Sequence, residues 1–182
     1  IAAQLSLRRP TDELSTSRRE EDPFEIVSGI CRGFTCGTPL CILIPNRAQS
    51  SEEYEAIKTL ARPGHADYAA QMKYGGFQDV RGGGHFSGRL TAPLVFAGAV
   101  AKKVLAEKGV TIGAHIARIG QVTDRLFNPL GEPEALLKEL RNHTLPVLDT
   151  DKGLLMEQEI MAAREQRDSV GGVVEVMVTG IP

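Results

Sequence analysis

TAPLVFAGAVAKKVLAEKGVTIGAHI, residues 91–116, sets the architecture. Thr91 is placed to cap a helix, and Pro93 falls in its first turn, where a missing N–H costs nothing. The helix is predicted to run to about Lys108, with Gly109 as its C-terminal stop. From Leu94 to Val100 the residues are apolar on every side, which predicts a helix buried on all faces rather than one lying on a surface. Val110, Ile112, Ala114 and Ile116 then alternate, the period of a strand.

Upstream, Arg81-Gly82-Gly83-Gly84-His85-Phe86-Ser87-Gly88-Arg89 reads as a loop feeding that helix. A short helix is predicted over Ala66–Lys73, stopped by Gly75-Gly76 and separated by Pro63-Gly64 from another at about Ser51–Leu60. Ser50 and Glu53 form a capping box for the latter. Phe24–Val27 and Cys36–Ile44 read as strands around a glycine-rich turn, and Arg8–Asp22 as a polar loop. Downstream, helices are predicted at Glu132–Asn142 and Lys152–Arg167, then a strand over Val173–Val178. Strands, a buried helix, more helices and a strand predict a layered arrangement with helices inside.

At 182 residues the chain can bury roughly 70% of its unfolded surface. A net charge of −2 gives no global basic field for nucleic acid or anionic lipid. The longest apolar stretch, Ala92–Ala101, is far too short to span a bilayer. Cys31, Cys36 and Cys41 lack a CxxC pair and a close histidine, so buried free thiols are expected rather than a metal site, in a reducing, cytoplasmic setting. Ile1 at the start and Gly180-Ile181-Pro182 one step past a strand read as the ends of a piece of a longer polypeptide.

Three features point to chemistry. Gly82-Gly83-Gly84 lets backbone N–H groups approach a ligand, and Arg81 and Arg89 add charge, so the loop suits an anion. It is not a Walker loop, because Gly-Lys-Ser/Thr is absent. In Arg62-Pro63-Gly64-His65-Ala66-Asp67-Tyr68, His65 is suited to proton transfer near neutral pH, although a histidine in a turn is more often structural. The run Arg8, Arg9, Arg18 and Arg19, followed by Glu20, Glu21 and Asp22, reads as a solvated charged loop. His115 lies on a strand face and His143 at a helix end, neither with a nameable partner.

Taken in order, these segments resemble chorismate synthase. The resemblance is carried by Arg8-Arg9-Pro10, Ser15-Thr16, Arg18-Arg19-Glu20 with Asp22, Ser28-Gly29, Gly37-Thr38, Asn46, Ser51 with Tyr54, and the Arg62–Tyr68 stretch. Lys73-Tyr74-Gly75, Asp79, Arg81–Gly84 with Ser87 and Arg89, Ala97–Ala99 with Ala101-Lys102, and Asp168-Ser169-Val170-Gly171-Gly172 with Val173 and Glu175 continue it. It is weakest over Thr123–Lys152.

The resemblance implies an α+β fold, a β-α-β sandwich with helices packed between antiparallel sheets, of which residues 1–182 form a single partial domain. It implies a lyase that removes phosphate and a ring proton from 5-enolpyruvylshikimate 3-phosphate by anti 1,4-elimination, giving chorismate for aromatic amino acid biosynthesis. Reduced FMN is the implied cofactor, NADPH an external reductant, and a homotetramer the implied assembly. Residue by residue, it implies His65 as catalytic acid, Arg8, Arg62, Ser87 and Arg89 at the substrate, and His85, Phe86 and Ser87 at the flavin. The family often has Arg-Ser-Ser-Ala-Arg where His85-Phe86-Ser87-Gly88-Arg89 stands, and the usual Pro-Gly after the double arginine is Pro10-Thr11. The family's N-terminal segment with another histidine and its C-terminal half lie outside these 182 residues. The alternative is a catalytically inactive fragment or anion-binding module that keeps the core of this fold.

Overall fold

A computed structural model describes residues 1–9, 14–15, 22–46, 54 and 57–181. The run Arg18–Glu21 and the capping box at Ser50 and Glu53 lie outside the described residues, as does most of the helix expected there. The chain divides into two compact units, Ile1–Arg9 with Arg19–Gly98 and Pro10–Arg18 with Ala99–Pro182.

The first unit opens on helix α1 (Ala2–Ser6). Strand β1 (Glu25–Ser28) pairs antiparallel with β4 (Cys41–Leu43), and β2 (Ile30–Cys31) with β3 (Phe34–Thr35) forms a small hairpin between them. The strand expected over Cys36–Ile44 is therefore broken: Gly37 takes φ +77° and the chain bends before Cys41 resumes pairing. Gly29 is required where it stands, since a Cβ there would lie 2.6 Å from Leu40 Cα. All three cysteines are free, and the expectation of burial is wrong: they are exposed. Cys31 and Cys41 sit on two-stranded ribbons and Cys36 follows one, and such ribbons offer a side chain too little sheet to be covered by.

Helix α2 (Asp67–Tyr74) ends at Gly75, whose φ of +60° is the left-handed cap that glycine supplies without strain. Two 3₁₀ turns, Arg81–Phe86 and Gly88–Leu90, lead into helix α3 (Thr91–Ala106). Thr91 is the first helical residue rather than its cap, and its hydroxyl donates back to the Gly88 carbonyl at 2.6 Å. Nor is α3 buried on all faces. Ala92, Phe96 and Ala99 are buried, an i, i+4, i+7 stripe, whereas Leu94 is 70% exposed. Apolar residues surround the helix, but the chain packs only that stripe. Phe96 meets Phe24 edge-on, with ring centroids 5.5 Å apart.

The second unit is built on β5 (Thr111–Ile119), a strand as the alternation predicts, but its buried face is the odd-numbered one of Thr111, Gly113, His115, Ala117 and Ile119 rather than that of Ile112, Ala114 and Ile116. It lies between β6 (Val122–Thr123) and β7 (Gly172–Thr179), antiparallel to both. Helix α4 (Glu134–Glu139) continues into a 3₁₀ turn, Leu140–Asn142, and places Leu137 and Leu140 in a core with Phe127. Contact between helix and sheet is close: a Cβ on Gly113 would lie 2.7 Å from Leu137 Cδ2. Helix α5 (Thr150–Glu165) is capped by Asp149, which accepts from the Asp151 and Lys152 amides. Helices and antiparallel sheets make this an α+β fold. Val174, Val176 and Val178 of β7 are exposed on one face of the sheet.

Candidate functional site

The turn before α2 holds His65. Gly64 turns the chain at φ +75°, and the His65 amide donates to the Arg62 carbonyl at 3.3 Å. The turn is closed by Asp67. One carboxylate oxygen accepts the Arg62 amide at 3.0 Å and Nε at 2.7 Å; the other accepts Nη2 at 2.9 Å. The Arg62 hydrogen bond is the main cause holding the Asp67 carboxyl down at about 2, and the same contact raises the Arg62 guanidinium further. Tyr54 stacks its ring 5.3 Å from that guanidinium. His65 itself is exposed.

The glycine loop has the same device in smaller form. Asp79 accepts the Arg81 amide at 3.0 Å and takes its Nε and Nη2 at 2.9 and 2.7 Å. Asp79 is held at about 2 by Arg81. The loop folds as a 3₁₀ turn rather than an open cradle, and Gly84 is fixed there: a Cβ would lie 2.1 Å from the Asp79 carbonyl oxygen. His85 and Phe86 stack 4.1 Å apart, and Tyr74 meets His85 edge-on at 5.3 Å. Ser87 Oγ accepts the Arg89 amide at 3.2 Å, which leaves its O–H to donate. Arg8 is bound by Asp22 and donates to the Thr91 hydroxyl at 2.9 Å.

A cleft of about 670 Å³ in this unit is lined by Tyr54, Lys58, Arg62, Asp67, Arg81 and Phe86 among others. It joins Arg62 and Phe86 of the expected site. Arg8, His65, His85, Ser87 and Arg89 do not line it.

Sequence reasoning missed the most buried polar group. His115, fully buried on β5, contacts Glu175 of β7 through Nε2 at 2.8 Å, and its Nδ1 lies 3.4 Å from Asp124. Asp124 accepts the Arg125, Leu148 and Asp149 amides at 2.8, 2.6 and 3.2 Å. Glu175 also accepts the Phe127 amide at 2.8 Å, and this bond, followed by His115, lowers its carboxyl. Phe127 packs edge-on to the imidazole at 4.4 Å. A side chain with no exposed surface cannot touch a substrate, so the cluster holds the fold. The alternation of β5 put the apolar residues on the opposite face from His115, so nothing local signalled that its side chain points inward or which partners it meets.

The folded motifs define a class, the α+β proteins built like the crystallised chorismate synthase. A solved structure described as chorismate synthase superimposes with a TM-score of 0.64 at 28% identity, over 87% of this chain and 44% of that one. The chorismate synthase family model matches residues 1–182, and the chain belongs to that family. Chorismate synthases of Pyrococcus abyssi and Thermococcus gammatolerans are 44% and 47% identical over the whole chain, and that of Wolinella succinogenes is 42% identical over 98% of it. The chain spans about half the length of these curated relatives, 49%, 49% and 48% respectively.

Proposed function

We propose that these 182 residues carry the central part of a chorismate synthase active site, a lyase that eliminates phosphate from 5-enolpyruvylshikimate 3-phosphate. One observation carries the reading: family identity of 44–47% to two archaeal chorismate synthases extends over the entire chain. The carbon–oxygen bond to phosphate breaks, a ring C–H bond breaks, and the electron pair of the latter completes the new diene of chorismate. A substrate with a phosphate and two carboxylates calls for several guanidinium groups, for which Arg8, Arg62 and Arg89 are the candidates. His65, exposed on a turn held at both ends, is the candidate proton carrier.

The residues present fit one edge of a reduced flavin. His85 and Phe86 are exposed and stacked, Tyr74 backs them, and Ser87 keeps a donor hydroxyl. Bound reduced FMN would supply transient electron donation without net redox change. NADPH as external reductant, a cytoplasmic location and a homotetrameric assembly belong to the same reading. Among the described residues no helix is long and apolar enough to cross a membrane.

The half-length match favours a second reading, a catalytically inactive piece that retains an anion site. An anaerobic assay separates them. The 182-residue chain alone should give no turnover. Substituted for the corresponding half of the Pyrococcus abyssi relative, it should give a chimera that turns over with reduced FMN. A folded but inactive chimera would sink the first reading. His65→Ala in the active chimera should lower kcat about 10²-fold or more with little change in KM.

A further inference from the structure

We infer that Asp67 is a positioning residue of this site, clamping Arg62 and closing the six-residue turn that presents His65. The inference rests on the functional reading above only for its catalytic consequence; the clamp is a property of this chain.

Asp67 engages both the backbone and the side chain of one residue. Its carboxylate accepts the Arg62 amide, Nε and Nη2, so the start of the turn and the plane of the guanidinium are fixed together. A bidentate fork to a carboxylate is the strongest and most directional pairing an arginine makes. The His65 amide donates to the Arg62 carbonyl, so the backbone that carries the imidazole is tied to the clamped residue. Asp67 is also the first residue of α2, whose amides favour a negative charge at that end. Both side chains are half-buried, at 26% and 29% exposure, which shields the pair from solvent more than a surface pair. The carboxyl stays ionised far below neutral pH, so the clamp does not open in the range where a histidine titrates.

Two consequences follow. The Nε–Nη2 edge of Arg62 is already filled, so an anionic ligand must use another edge of the guanidinium. A phosphate therefore meets an arginine whose direction is set in advance, which is the energetic value of preorganisation. Asparagine at position 67 keeps the shape but replaces the second acceptor oxygen by a donor, which breaks the fork.

The test is nuclear magnetic resonance of the 182-residue chain, read at Arg62 Nε–H and at the His65 ring. In the parent chain the Arg62 Nε–H signal should stand apart from the solvated arginines from pH 8 to about pH 4, where Asp67 remains ionised. In Asp67→Asn that signal should merge with the others, and exchange of the His65 amide should rise about tenfold. Asp67→Glu should recover part of the separation. Met177 methyl signals report the second unit and should not move. If Asp67→Asn does not fold, Arg62→Lys, which keeps charge without the fork, should shift the His65 signals in its place. Unchanged Arg62 and His65 signals in the folded variants would overturn the inference. In an active chimera, Asp67→Asn should lower kcat about tenfold and displace its pH profile; parental kcat and profile would overturn it too. An inactive parental chimera with the clamp signals intact would instead remove the functional reading and leave the clamp standing.

Discussion

The turn at Arg62–Asp67 and the cluster at His115 use the same ingredients, a basic side chain and aspartate or glutamate, to opposite ends. At the turn the charges lie near the surface, and their partners are neighbours in sequence. They order a loop while His65 stays accessible. In the cluster, Asp124 and His115 are fully buried, and the partners come from 9 and 60 residues away. Every carboxylate there also accepts backbone amides, so removing one leaves several donors unpaired. The difference teaches that solvent decides the role of a charge: near water it shapes a site, away from water it welds a sheet to the segments packed on it.

The largest break in that contrast should come from Asp124→Ala. It strands three amides and the neighbouring imidazole, and should cost about 3–5 kcal/mol in urea unfolding. A loss below about 1 kcal/mol would mean that water or relaxation satisfies these groups, and that the cluster is no weld. Next is Gly113→Ala. Its Cβ would meet Leu137 Cδ2 at 2.7 Å and Leu137 Cα at 3.1 Å, so the backbone of α4 must shift. Overpacking of this kind should cost about 1–3 kcal/mol. A neutral result would show that α4 floats on the sheet.

Much of this second unit was legible in the sequence. The alternation from Val110 to Ile116 gave β5, though not its buried face, and Gly109 stopped the preceding helix at a left-handed position. Asp149 was missed as a cap, although an aspartate directly before a helix is a usual one. His115 was read correctly as a strand residue, but Asp124 and Glu175 are brought to it only by the β5–β7 pairing and the turn after β6. The first unit was less legible for a related reason. Cysteine and leucine burial were inferred from residue type, yet Cys36 and Leu94 are exposed because burial depends on what the chain places against them. The Arg62 and His65 motif was visible as a motif. Asp67's grip was not, because an i, i+5 contact requires the turn to exist first.

Acid sharpens the comparison further. The Glu175 and Asp67 carboxyls are both held below their ordinary values, by the Phe127 amide and by Arg62 respectively. Groups with depressed folded values stabilise above their unfolded values, about 4, and lose that contribution as pH falls toward the folded ones. Unfolding free energy should therefore drop from about pH 4 downward. Glu175→Gln should flatten the drop, since the variant no longer takes up that proton. Parallel pH curves for parent and variant would assign the acid sensitivity to other groups.

The smallest effect isolates what exposure does. Asp79 and Asp67 make the same three bonds to an arginine, and both carboxyls sit at about 2. The Asp79 and Arg81 side chains are 54% and 59% exposed, about twice the values at Asp67 and Arg62. Solvent screens such a pair, and its partners are only two residues apart, so it closes little chain entropy. Asp79→Asn should leave the urea midpoint unchanged within error and leave the Arg62 Nε–H signal where it was. If instead it loosens the Arg62 turn, the two pairs share a network along the cleft they both line, and the clamp must be assigned to both aspartates.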